Sequence, residues 1–254
     1  MAGVNPVVLI GGYLGRPTTY EAMAAQLSGP LYGRRCFIVP FAAWRWALIR
    51  DWSYSAIVDA VAETVARARA ETGAERVTII AHSAGGRAAR LYLGDQPYRG
   101  TVHDGQRYVD RLITLGTPHG GIEQYAARLT QWLNDTYPGA YWPHIRYVSV
   151  IGRSVIGDPH GTLQQRRVYR SYRVQTGDGV EWGDGVVPLA CAYLPGPEHL
   201  ILPGVTHFPH DPHFYGSAKA IAQWGRYLRD ETPSNHEAHA VTAGRAIPTA
   251  AAIG

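Results

Sequence analysis

The chain has 254 residues, 46% of them apolar and 17% charged, with a formal net charge of +4. That length suits a single α/β domain able to bury its own core without staples. The arginines read as scattered, with no basic tract among aromatics, so a nucleic-acid partner is not suggested, although a weak attraction to anionic lipid surfaces is compatible with the charge.

In chain order, "PVVLIG" at 6–11 is an apolar run closed by glycines, as for a strand buried on both faces. "YEAMAAQLS" at 20–28 predicts a helix and "CFIVPF" at 36–41 a second strand, ended by Pro40. Residues 53–72 give the clearest helix, with Ile57, Val58, Val61 and Val65 as its apolar stripe, Ser53 or Ser55 as its cap and Gly73 just past its end. "RVTIIAH" at 76–82 is the third strand, and "AGGRAARLYLG" at 84–94 the next helix. Three more strands follow at 111–118, 147–152 and 199–205, and an amphipathic helix closes the series from 213 to 230. Cys36 and Cys191 sit among apolar neighbours and read as buried thiols rather than a disulfide.

Alternating strands and helices predict a mostly parallel sheet of about six strands with helices on both faces. The expected domain spans 1–231. The stretch 232–254, rich in Ala, Thr and Pro, reads as a poorly ordered tail. The N-terminus has no positive n-region or cleavage site and no apolar run reaches the length of a membrane span, so a cytoplasmic location is expected.

In such sheets ligands gather at the carboxyl ends of the strands. There "VTIIAHSAGG" at 77–86 ends a strand on Ser83, with Ala81 and Gly85 two residues to either side. A sharp strand–turn–helix bend needs small residues at those positions, because the backbone approaches closely and the central residue takes an unusual conformation. The same stretch read alone also fits a serine capping a helix. A serine nucleophile needs a base, and the base an orienting acid, which in this architecture follow in the order nucleophile, acid, base. Asp184, in "GDGVVP", leads into an apolar segment that can hold it; Asp178 has the same Gly-Asp-Gly setting but reads as a turn residue. His207 comes first after the last strand. His210 and His213 follow it, and with Asp211 they read as solvated loop residues, not a metal site. His82 reads as packed under the turn. Acyl transfer also needs oxyanion donors: the N–H of Ala84, and one from the loop "GGYLG" at 11–15, assigned to Tyr13 with Gly12 as the adjacent alternative.

Together "VVLIGGYLG", "VTIIAHSAGG", "LITLGTPHGG", "GDGVVP" and "GVTHF" resemble the α/β-hydrolase superfamily, on its lipase and esterase side. "LGTPHGG" looks like the matching segment of bacterial lipases. "AHSAGG" and "GDGVVP" look like lipase-like hydrolases of cyanobacteria and plastids, some of which act on membrane glycerolipids. Ala81 in place of glycine departs from the pattern, and the absence of strands before the first implies a compact version. By this resemblance Ser83, Asp184 and His207 are nucleophile, acid and base, and Tyr13 and Ala84 are the oxyanion donors. The implied activity is hydrolysis of acyl esters, of glycerolipid, galactolipid or triacylglycerol type, with no cofactor or metal. An acyl thioesterase and a non-catalytic lipid binder on the same scaffold are the alternatives.

Two aromatic-rich connections, 41–54 and 120–146, follow the second and fourth strands and are expected to form a lid or acyl pocket. Trp44, Trp46, Trp132 and Trp142 are the expected substrate contacts, with core packing under long loops as the rival reading.

Overall fold

Among the described residues eight strands form in chain order: β1 (Val7–Ile10), β2 (Cys36–Ile38), β3 (Val77–His82), β4 (Val109–Leu115), β5 (Arg146–Arg153), β6 (Val155–Ile156), β7 (Trp182–Gly183) and β8 (Glu198–Pro203). The structure is a computed structural model describing residues 4–49, 52–121 and 126–229. The expected tail and parts of both aromatic connections (50–51 and 122–125) lie outside the described residues.

Six strands make one sheet in the order β2–β1–β3–β4–β5–β8, and every pairing is parallel. β6 and β7 form a separate antiparallel ribbon. The central strands are apolar on both faces because both are covered. Val8, Ile10, Ile79, Ala81 and Leu112 pack on one side with α3 (Ser55–Thr72), α4 (Gly85–Leu93) and α5 (Ala127–Thr136). Val7, Leu9, Ile80, Ile113 and Val148 pack on the other with α1 (Glu21–Ser28) and α8 (Ala218–Trp224). Neighbouring residues thus serve opposite cores, as the period of two in a strand requires.

The predicted stripe of α3 is buried as expected, and Gly73 closes the helix at φ 70°, where a Cβ would be strained. Its start differs: Tyr54 takes the N-cap position, and its side chain makes no capping hydrogen bond. The last helix is shorter than predicted, running from Ala218 to Trp224 before tightening into a 3₁₀ turn. Cys191 is buried and Cys36 half-buried, and the two are not joined in a disulfide. Three further helices are α2 (Ala43–Ala47), α6 (Leu163–Thr176) and the one-turn α7 (Leu189–Ala192). α6 opens on a full capping box, in which Thr162 and Gln165 bond each other's backbone. The arginines are also less scattered than their linear order suggests, because α6 carries Arg166, Arg167, Arg170 and Arg173 together on its exposed side.

The strand order reverses between β1 and β3: from β1 the chain steps outward to β2, then returns to β1's other side. Such a reversal splays the two connections apart and opens a crevice at the strand ends. The loop 11–15 and the turn at Ser83 border that crevice. Among the described residues no helix is long and apolar enough to cross a membrane.

Candidate active site

Ser83 joins β3 to α4 at φ 53°, a left-handed conformation that a residue with a Cβ adopts only under strain. Its N–H is held by the Leu115 carbonyl at 2.9 Å. The glycines around it are sterically demanded. A Cβ on Gly12 would lie 2.8 Å from the Ser83 Cβ, and one on Gly85 would lie 2.6 Å from the Gly11 carbonyl oxygen. Ala81 departs from the usual glycine, yet its methyl is fully buried in the sheet core, so the bend accepts it there.

Nε2 of His207 lies 3.0 Å from Ser83 Oγ, and its Nδ1 lies 2.7 Å from Asp184 Oδ2. An ionised carboxylate only accepts, so Nδ1 carries the proton and Nε2 presents a lone pair to the serine hydroxyl. Asp184 and His207 are both buried, and a backbone bond from His207 N–H to the Asp184 carbonyl, 2.9 Å, ties their loops together. Asp184 follows β7, in the small ribbon rather than the main sheet. The competing residues make no such chain: Asp178 is exposed, His210 is exposed at the wall of the cleft that Ser83 and His207 share, and His213 pairs with Asp211 at 3.3 Å. Among the described residues no group of three His, Cys, Asp or Glu is arranged to hold a metal.

Asp184 accepts four hydrogen bonds. Oδ1 takes the N–H groups of Val186 and Val187 at 3.0 and 2.8 Å. Oδ2 takes His207 and the hydroxyl of Tyr215, the latter at 2.8 Å. Tyr215 in turn accepts the Gly152 N–H at 2.7 Å. Burial and the Asp184 charge push the Tyr215 hydroxyl well above its ordinary range, so it remains a donor.

Beneath the serine, Tyr20 accepts the Gly12 N–H at 2.9 Å and lies 2.8 Å from His82 Nδ1. Burial raises the Tyr20 hydroxyl to about 12. Burial, then repulsion from His207 at a ring separation of 4.7 Å, holds His82 well below its ordinary value of 6.5. His82 is therefore neutral. The Tyr20 hydroxyl hydrogen has Nδ1 as its acceptor. This corrects one expectation: the Gly12 N–H is already committed to Tyr20 and is not a spare oxyanion donor. The N–H groups of Tyr13 and Ala84 have no hydrogen-bond partner among the described residues. Neither Tyr20 nor Tyr215 is marked by a sequence motif; each acts across a long separation in the chain.

Ser83, His207, Tyr13 and Ala84 line one cleft of about 1170 Å³. Its wall is mixed: Leu14, Ile49, Val187 and Phe208 are apolar, while Arg87 and Gln175 are polar. The tryptophan expectation is corrected, because none of the four lines the cleft among the described residues. Trp46 is 1% exposed and packs in the core, its ring 5.2 Å from Phe41 and 6.2 Å from Tyr54. Trp132 stacks edge-on to Trp52, and Trp142 to Tyr141. Trp44 is 67% exposed. Long connections need a core of their own, and these rings supply it. The first connection does reach the cleft, but through Ala47, Ile49 and Tyr54; the second does so through Ala126.

No protein-family model matches the chain, and no curated protein matches it in sequence. Solved structures do match in shape. A Bacillus licheniformis lipase in its mature form superposes with a TM-score of 0.65 at 17% identity, covering 88% of this chain and 91% of that one. A Listeria innocua gene product superposes with a TM-score of 0.57 at 15% identity, covering 91% of this chain and 96% of that one. With the strand order above, these establish the α/β-hydrolase fold.

Proposed function

We propose that this chain, an α/β-hydrolase in fold, is a serine hydrolase of carboxylic acyl esters. The observation that carries the proposal is the continuous line from Ser83 Oγ through the His207 ring to Asp184, at 3.0 and 2.7 Å, facing one cleft. A carboxylate–imidazole–hydroxyl chain in this tautomer has one evident chemical use, which is to deprotonate the serine as it attacks.

Ser83 Oγ bonds to the ester carbonyl carbon while its proton passes to His207 Nε2. The tetrahedral oxyanion is held by the free N–H groups of Tyr13 and Ala84. Collapse breaks the ester C–O bond, and the imidazolium returns its proton to the departing alcohol. Water, deprotonated by the same nitrogen, then releases the acid and restores Ser83. All atoms come from ester and water, so the chemistry calls for no cofactor.

The substrate reading is an ester with a sizeable apolar acyl group. A cleft of this volume, with Leu14 and Phe208 exposed at its edge, suits an acyl chain better than a small polar ester. The solved structure from Bacillus licheniformis is of a lipase, which agrees. Turnover of p-nitrophenyl esters of rising chain length, by wild type and Ser83→Ala, tests both parts, with an acyl thioester run beside them. Activity lost in the folded variant supports the serine, and the best chain length defines the acyl pocket. An inactive wild type, or an active Ser83→Ala, overturns the reading.

A further inference from the structure

The exposed side of α6 carries an unusual charge pattern. Its 14 residues include Arg166, Arg167, Arg170 and Arg173 and no acid. Val168, Tyr172 and Gln175 are its buried residues, and they define one stripe. At 100° per residue, Arg166, Arg170 and Arg173 fall opposite that stripe, with Arg167, Leu163 and Val174 to one side of them. All four arginines are exposed, and none has an ion-pair or hydrogen-bond partner for its side chain among the described residues. The carboxylates of Asp158, Asp178 and Glu181 flank the helix ends without forming an ion pair to its arginines among the described residues; Asp158 touches the helix only through its N–H, which donates to the Gln165 carbonyl at 3.2 Å.

This arrangement works against the helix. Arg166 stands four residues before Arg170, and Arg170 three before Arg173, spacings at which like charges repel by about 0.2–0.5 kcal/mol a pair. The backbone dipole favours only Arg173, in the last turn; Arg166 and Arg167 lie in the N-terminal half, where it lends them no support. A surface that breaks local rules without an internal partner is matched to an external one.

We propose that this face of α6 docks on a bilayer bearing anionic headgroups. The arginines alone would suit any polyanion. The apolar residues among them decide the class: Leu163 is 67% exposed and Val174 48%, both on the outward half of the same helix. Arginines interleaved with exposed aliphatics make an interfacial helix, with cations at the headgroup level and apolar groups reaching below it. A nucleic acid would leave Leu163 and Val174 without a role. The buried side of α6 contributes Gln175 to the cleft wall, so a docked α6 would bring the cleft close to the lipid.

The test is co-flotation of the full chain with phosphatidylcholine vesicles, with and without phosphatidylglycerol, at low and high salt, and with a DNA duplex as competitor. Binding is read without turnover, so the outcome does not depend on the ester reading. The variant is R166Q/R170Q/R173Q, whose exposed side chains should leave the melting temperature and soluble-ester kinetics unchanged. Wild type should bind only the anionic vesicles. The variant should bind roughly a hundredfold more weakly, at about fivefold per arginine. Molar salt, which shortens the screening length to about 3 Å, should release the wild type. No binding to anionic vesicles overturns the proposal. So does equal binding by a folded variant, or a duplex that displaces the protein at matched phosphate concentration.

Discussion

Tyr20 and His82 share a hydrogen bond of 2.8 Å, and the same hydroxyl takes the Gly12 N–H at 2.9 Å. The loop that offers the Tyr13 N–H is thereby fastened to the residue preceding Ser83. A glycine-rich loop has much conformational freedom to lose, so its fastening matters. Tyr20→Phe should lower kcat by about tenfold to a hundredfold with little change in KM, since an oxyanion donor acts chiefly in the transition state. Steady-state kinetics on a p-nitrophenyl ester check this; an unchanged kcat would separate the fastening from catalysis.

Ser83, the proposed nucleophile, sits under backbone strain at φ 53°. Ser83→Ala and Ser83→Gly should both be inactive, but they should differ in stability. Alanine keeps the Cβ that opposes the left-handed conformation, at about 1–2 kcal/mol, and glycine does not. Part of that gain is offset by glycine's greater freedom when unfolded. Ser83→Gly should therefore melt at or above Ser83→Ala in a thermal scan. The reverse order would mean that the turn is unstrained.

The tryptophans should divide sharply. Trp46→Ala empties a core position and should destabilise by about 3–5 kcal/mol. Trp44→Ala removes an exposed ring and should stay within about 0.5 kcal/mol of wild type, with unaltered kinetics on a soluble ester. Denaturant melts of the pair decide it. Loss of soluble-ester turnover in a stable Trp44→Ala would return that ring to the substrate site.

Tyr215 holds Asp184 and the Gly152 N–H through one hydroxyl. Tyr215→Phe leaves both buried groups short of a partner, with a penalty of about 1–3 kcal/mol. The melting temperature should fall by several degrees. A melt equal to wild type would show that other groups or water take over both bonds.

Acid should weaken the fold through its buried histidines. Burial holds His82 and His119 well below 6.5; His207 adds repulsion for His82, as do Arg90 and Arg87 for His119. Folded, they stay neutral; unfolded, they take up protons as pH drops through 6.5. Their contribution is thus fully present above 6.5 and declines below it, at about 1.4 kcal/mol per pH unit for each group. His119→Asn should flatten the dependence of melting temperature on pH between 6.5 and 5. An unchanged slope would place the acid sensitivity in other groups.

Much of this molecule is local in origin. Apolar runs at Val7–Ile10 and Val77–His82, the 3.6-residue stripe of Ile57, Val58, Val61 and Val65, and the small residues around Ser83 each state a backbone requirement within a few positions. From those the parallel sheet, its two helical layers and the serine at a strand end follow by sequence alone. The basic face of α6 was present in the string of residues 166–173 but has meaning only at helical spacing. The choices among like residues belonged to the tertiary structure. Asp178 and Asp184 share one local setting, and only the β6–β7 ribbon carries the second to His207. Trp46 and Trp44 differ by two positions, and the packing of α2 buries one and exposes the other. Tyr20 meets His82 across 62 residues, and Ser83 meets His207 across 124. Local pattern sets the period and the turn. Which side chains meet depends on strand register and helix rotation, which the whole core determines together.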